Sequence, residues 1–206
     1  MQDPGEEKMN TKRRENEAFF DKWARTYDAP LFQFWMRKFY KPLLLVISDK
    51  DKVLDVSCGS GEFLRELSER TTAELHGLDL SSKMLAVANK KLKGKAHLQK
   101  GDVHNLPYPP DTFDYVISTE AFHHYDDQRK ALQEMKRVLR KGGKAIIVDV
   151  NFGLQPIHWL FEKLEPGCVK MNSKKTMKRL LASAGFRNIQ QRRSFVFSIL
   201  TEGVKP

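Results

Sequence analysis

The chain has 206 residues, with 36 Lys+Arg against 26 Asp+Glu for a formal charge of +10, and 40% of its residues are hydrophobic. That length can bury a full core without metal or disulfide staples, and the longest apolar runs, Pro42 to Ile47 and Ala145 to Val150, fall far short of the roughly 18 residues that cross a bilayer. Met1 to Glu17 is charged, with no secretory-type apolar stretch, so a cytoplasmic (cytosolic) location is expected; Cys58 and Cys168, without a CxxC or a nearby His pair, are expected as free thiols, and no metal site is expected.

In chain order, Phe19, Phe20, Trp23 and Tyr27 recur at helical spacing within Thr11 to Tyr27, and Pro30 opens a second helical segment, Leu31 to Ile47. These two are expected to pack as an N-terminal helical cap, residues 1–50. Lys52 to Val56 reads as a buried strand, followed by a Gly-rich turn and a helix from Glu62 to Arg70. Strand Ala73 to Leu78, helix Ser82 to Leu92 and strand Ala96 to Lys100 come next, with Ser81 or Ser82 available as the helix cap. Phe113 to Ser118 is a fourth strand, Asp127 to Arg140 a helix stopped by Lys141-Gly142-Gly143, and Lys144 to Val150 a fifth strand. Alternation of this kind predicts βαβ units and a doubly wound, mostly parallel seven-stranded α/β sheet, Rossmann-like, over residues 51–206. Residues from about 151 to 172 break the pattern with Gly153, Pro156, Pro166 and Gly167 around the apolar patch Ile157 to Phe161. A helix from Ser173 to Ala184 and strands near Asn188 to Arg193 and Phe195 to Thr201 close the sheet.

Residues 151–206 carry ten basic and three acidic side chains, most of the positive excess. This asymmetry would suit a polyanion, an anionic membrane surface or an acidic small substrate. The Lys and Arg come in pairs, however, without a long tract or interleaved aromatics, which is the pattern of a solvated basic face.

Ligands of open α/β sheets bind outside the carboxyl ends of the strands, usually at the first strand-to-helix turn. Here that turn reads Asp55-Val-Ser57-Cys-Gly59-Ser-Gly61-Glu-Phe-Leu64. Leu64 stands where a pyrophosphate fingerprint wants a third small residue, which argues against NAD or FAD. Asp79 ends the second strand, where a carboxylate can accept from both hydroxyls of a ribose. Asp102 and Glu120 follow the third and fourth strands, so carboxylates stand at three successive strand ends.

This arrangement resembles the class I S-adenosylmethionine-dependent methyltransferases, in the small-molecule branch that includes the ubiquinone and menaquinone C-methyltransferases. The resemblance rests on Val53 to Gly61, Gly77 to Met84, Gly101 to Tyr108, Phe113 to Ser118 and Leu139 to Lys144, with Phe20 to Asp28 and Leu181 to Phe186 at the two ends. It implies S-adenosyl-L-methionine as cofactor. The turn holding Asp55, Ser57, Gly59 and Gly61 would wrap its methionine part, and Asp79 its ribose. Leu80 and Met84 would flank the adenine, and Asp102 would accept from its amino group with Val103 beside it. Thr119 would approach the methionine moiety and Tyr27 would cover the site. Ser57 departs from the glycine most frequent in the family.

Methyl transfer is an in-line displacement, so the enzyme has mainly to align nucleophile and methyl in a dry pocket. A base matters where the nucleophile holds a proton; the candidates are His123 and His124, with Glu120 and His158 behind them. Trp159 and Phe161, with Phe32, Phe34 and Trp35, could line an apolar acceptor pocket. A small-molecule acceptor is the leading reading. Methylation of RNA or protein, motivated by the basic C-terminal segment, and an inactive cofactor-binding regulatory protein are the alternatives; the fourth strand lacks the N-P-P-Y-type tetrapeptide of amino-methylating nucleic-acid enzymes.

Overall fold

In the computed structural model, residues 4–24, 27–153, 155–165 and 167–206 are described. The parallel strands are β1 (Lys52–Val56), β2 (Glu74–Asp79), β3 (His97–Lys100), β4 (Phe113–Thr119) and β5 (Leu139–Val150), with the Val- and Ile-bearing runs in the central β1, β4 and β5. The hairpin β6 (Arg187–Phe195) and β7 (Ser198–Val204) adds antiparallel to β5. The seven strands lie in the order β3-β2-β1-β4-β5-β7-β6, the mostly parallel sheet expected from the sequence. Strand order reverses between β1 and β4, so a crevice opens at their carboxyl ends.

Helices α1 (Pro4–Trp23) and α2 (Pro30–Tyr40) precede the sheet, and α3 (Glu62–Ser68), α4 (Ser82–Leu92), α5 (Gln128–Val138), α6 (Gln155–Leu164) and α7 (Lys174–Ser183) connect its strands. One core cluster packs Leu132, Met135 and Leu181 of α5 and α7 against Val116 and Ile147. The other packs Leu64, Leu67, Ala88 and Leu92 of α3 and α4 with Leu43 against Val53 and Ile146. Apolar strands covered on both faces explain why they read as continuous hydrophobic runs rather than alternating ones.

Several boundaries differ from expectation for local reasons. The helix expected to run to Ile47 ends at Tyr40 and tightens into a 3₁₀ turn, Lys41–Leu45, because Pro42 has no N–H to give. The helix expected to reach Arg140 ends at Val138. Lys141-Gly142-Gly143 are strand rather than stop signal: Gly142 N donates to Lys205 O and Lys205 N to Gly143 O, each at 2.9 Å, while the register against β4 shifts between Phe113 and Tyr115. The patch Ile157 to Phe161 forms α6, with Pro156 in the first turn, where a missing donor is tolerated. Finally, the hairpin reverses at Val196 and Phe197, inside the strand expected over Phe195 to Thr201. Ser81 is the cap of α4, its Oγ accepting from Met84 N at 3.1 Å. Neither cysteine is in a disulfide.

Candidate active site

The turn after β1 is built on left-handed backbone: Ser57 at φ 62°, Gly59 at 52° and Gly61 at 75°. For serine this conformation carries strain of about 1 kcal/mol or more, and its Oγ lies 3.0 Å from the Tyr125 hydroxyl, which also meets Ser118 Oγ at 3.0 Å. Gly61 has no room for a side chain, since a Cβ there would sit 2.9 Å from Ala88 Cβ. Gly77 does the same service under β2, where a Cβ would meet Leu64 at 2.8 Å. The bulky Leu64 is thus accommodated by a glycine in the strand.

Asp79 ties this turn to the next. Its Oδ2 accepts from Gly59 N and its Oδ1 from Ser81 N, both at 2.8 Å. Burial raises its carboxyl to about 6, against the lowering effect of those two bonds. Asp55, deeper in the crevice, is pushed well above the usual carboxylate range by burial and then by the charge of Asp79. Its Oδ1 has no hydrogen-bond partner.

A cavity of about 800 Å³ opens here, lined by Tyr27, Ser57, Gly59, Asp79, Leu80, Met84, Asp102, Val103, Thr119 and His124, all singled out from the sequence. Asp55 lines a smaller neighbouring cavity of about 390 Å³ that shares Tyr27, Ser57, Gly59 and Thr119. Gly61 faces α4 instead of either cavity. Tyr27 lies over the turn, its Cε1 3.9 Å from where a Gly59 Cβ would stand. The side chains of Phe32 and Trp35, expected in an acceptor pocket, lie outside the described residues; Phe34 and Trp159 are exposed and line neither cavity.

Arg13, Asn16, Phe20, His104, Glu120, Tyr125 and Asp126 also line the larger cavity. Of these, the sequence had marked only Glu120 for chemistry. Arg13 of α1 bridges Asp102 at 3.3 Å and Asp126 at 3.1 Å, and His104 sits between the same two carboxylates at 2.5 and 3.0 Å. Burial, which would lower the His104 pKa, is outweighed by these partners, and it is raised. Phe20 meets His124 edge-on at 5.1 Å, and Asn16 donates to His124 O at 3.2 Å. On the other flank Lys91 joins Asp28 at 2.6 Å, Ser60 at 3.1 Å and Glu62 at 3.2 Å, tying the segment after Tyr27 to the glycine turn.

The paired histidines have different environments. His123 is buried, with Nδ1 2.5 Å from Asp149 and Nε2 3.3 Å from Glu165; these carboxylates outweigh burial and hold its pKa well above the usual value. His124 faces the cavity, and burial followed by the charge of His123 lowers it to about 4. The two shifts are opposite: the carboxylates beside His123 favour its protonated form, and burial favours the neutral ring of His124. Ligand atoms of His123, His124 and Glu165 lie within 4.8 Å of one another, a set that could hold a cation. His123 already pairs with Asp149 and Glu165 there. Among the described residues the other such group is Glu74, His76 and His97 on β2 and β3. Glu120, at φ 52°, has a buried Oε1 without a partner, and its carboxyl is raised well above the usual range by burial, then by Asp149.

Sheet order and the crevice at the switch point, with Asp79 at the end of β2, define an open α/β protein with its ligand site outside the carboxyl ends of the strands. The methyltransferase-domain family matches residues 54–147. The demethylmenaquinone methyltransferase of Thermotoga maritima is 36% identical over 138 residues, 64% of this chain and 59% of that protein. An uncharacterized methyltransferase of Anoxybacillus flavithermus is 32% identical over 148 residues, 68% of this chain and 69% of its own length. Haemonchus contortus phosphoethanolamine N-methyltransferase 2, solved with S-adenosyl-L-methionine, superposes with a TM-score of 0.72 at 17% identity, covering 91% of this chain and 60% of that one. The chain belongs to the class I S-adenosylmethionine-dependent methyltransferases. Its cofactor is S-adenosyl-L-methionine, and the crevice suits that cation: Asp55 and Glu120 each hold a buried oxygen without a partner.

Proposed function

We propose that the protein methylates a small-molecule acceptor in the cytoplasm, with residues 1–50 as a cap over a methyltransferase domain at 51–206. S-adenosylmethionine supplies a methyl carbon already activated by its sulfonium. In this reading Asp79 takes the ribose hydroxyls, and Leu80 and Met84 flank the adenine. Asp102, beside Val103, accepts from the adenine amino group. The turn from Asp55 through Ser57 and Gly59 to Gly61, with Thr119, holds the methionine end, and Tyr27 covers it. Gly61 contributes by letting α4 pack under the turn. The Arg13 bridge and Phe20 exclude water from the far wall.

The observation that carries the reading is Glu120, a cavity-lining carboxyl with an unpartnered buried oxygen and a raised pKa. Ionised beside the positive charge of the bound cofactor, such a group can take a proton from an acceptor hydroxyl or activated carbon. His124, held neutral, orients the acceptor from the same wall, and His123 fixes His124 and Glu120 through Asp149 and Glu165. The name of the Thermotoga relative supports a small aromatic acceptor of the demethylmenaquinone kind. The cavity wall argues against a nucleic acid, since Asp79, Asp102, Glu120 and Asp126 outnumber the single Arg13.

The test is incubation with methyl-labelled cofactor and a cell extract, followed by fractionation. Label in small molecules is expected, and Glu120→Gln lowers kcat by about 10²-fold with cofactor affinity retained. Label confined to protein or nucleic acid would overturn the reading.

A further inference from the structure

The outer side of α6 is apolar where a surface helix is ordinarily polar. Its inner side is accounted for: His158 Nε2 accepts from Phe152 N at 3.0 Å, and Phe161 packs on Phe152 at 5.1 Å and His123 at 6.5 Å. The acids in and just after α6 are also spoken for, since Glu162 accepts from Met171 N at 2.7 Å and Glu165 faces His123. Ile157, Leu160 and Leu164, one stripe at helical spacing, remain between 41% and 70% exposed, with Trp159 beside them at 56%.

The stripe continues onto the hairpin. Phe152 bridges α6 to the turn between β6 and β7 by stacking on Phe197 at 5.7 Å, and Val196 and Phe197 are both more than half exposed. Lys38 of α2 lies over Phe34 at 4.5 Å and over Phe195 at 5.2 Å, which carries the surface to the exposed Phe34. Of the nine large hydrophobics exposed among the described residues, seven sit on α2, α6 and this turn; the other two are Leu45 and Val46.

We propose that this face docks on an anionic lipid bilayer. The charge around it is the complement of such a surface: Arg192 and Arg193 are exposed on the strand leading into the turn, and Lys163 lies over the Trp159 ring at 3.7 Å. Aromatic and aliphatic side chains flanked by Lys and Arg are the composition that inserts at a headgroup boundary. A two-fold contact between copies would instead set Lys38, Lys163, Arg192 and Arg193 against like charges. Position matters too. Val150 pairs with Ser198, so the turn stands at the carboxyl end of β5, the end of the sheet that bears the crevice. Docking would then present the cavity to molecules dissolved in the interface, a consequence that rests on the small-acceptor reading; the docking itself does not.

Vesicle flotation tests it without any acceptor. The full chain is expected to float with phosphatidylcholine vesicles containing phosphatidylglycerol, weakly with phosphatidylcholine alone, and less at high salt. Arg192→Gln and Arg193→Gln should each weaken binding about fivefold. The double variant Leu160→Asp, Leu164→Asp should abolish flotation while S-adenosylmethionine binding, read by calorimetry, stays unchanged. Three results would overturn the proposal: no flotation with anionic vesicles, full flotation of the double variant, or light scattering that shows a dimer dissociated by those two substitutions.

Discussion

Asp79→Asn separates what this carboxylate does for the fold from what it does for the ligand. The folded carboxyl is raised from 3.8 to about 6, mainly by burial. The unfolded chain therefore ionises first, and the folded state holds the extra proton between those values. Stability favouring the fold is present at low pH and lost as pH rises through about 6, an ionisation penalty of about 3 kcal/mol at pH 7. Asparagine removes that penalty. It also gives up one of the two bonds from Gly59 N and Ser81 N, setting an NH₂ against a donor, at about 1.5–3 kcal/mol. The two effects nearly cancel, so the ligand-free variant should be as stable as the parent or up to about 1.5 kcal/mol more stable. Cofactor affinity should meanwhile fall roughly tenfold to 150-fold, the value of a charge-assisted pair of bonds to ribose hydroxyls. Denaturant unfolding without ligand and calorimetric titration at pH 7 read the two quantities. Loss of more than about 2 kcal/mol of stability, or an unchanged affinity, would refute the reasoning.

Gly61→Ala should destabilise by about 2–4 kcal/mol, combining a side chain at positive φ with a Cβ 2.9 Å from Ala88; Ala88→Gly in the same chain should restore part of the loss in urea melts. His123→Gln removes the cation between Asp149 and Glu165 and should cost about 3–5 kcal/mol, with cofactor affinity in the surviving folded fraction reduced less than tenfold. Deleting residues 1–29 removes Arg13, Asn16, Phe20 and Tyr27 from the cavity wall but no strand. A soluble chain with a cooperative melt and S-adenosylmethionine affinity reduced about tenfold or more is expected, and full affinity would show the helix to be ordinary packing.

The crevice was legible in the sequence because its parts are local. Asp55 to Gly61 and Asp79 each stand at a strand end, and an αβ alternation already says where strand ends point. Arg13, Asn16, His104 and Asp126 were not legible, since their meeting depends on how α1 crosses the sheet, and no periodicity encodes that. The different fates of the two adjacent histidines were equally hidden: Asp149 and Glu165, which raise the pKa of His123, come from β5 and the residue after α6, while burial lowers that of His124. Val196 and Phe197 misled for a physical reason. Apolar β-formers without Gly or Asn read as strand, and only pairing of Ser198 with Val150 places them at an exposed turn.

The central claim, a crevice made for S-adenosylmethionine and closed to dinucleotides, is tested most directly by parallel calorimetric titrations of the full chain. S-adenosylmethionine should bind one per chain, S-adenosylhomocysteine should displace it, and NAD should give no heat at the same concentrations. Micromolar binding of NAD, or no binding of S-adenosylmethionine by the folded protein, would contradict the account.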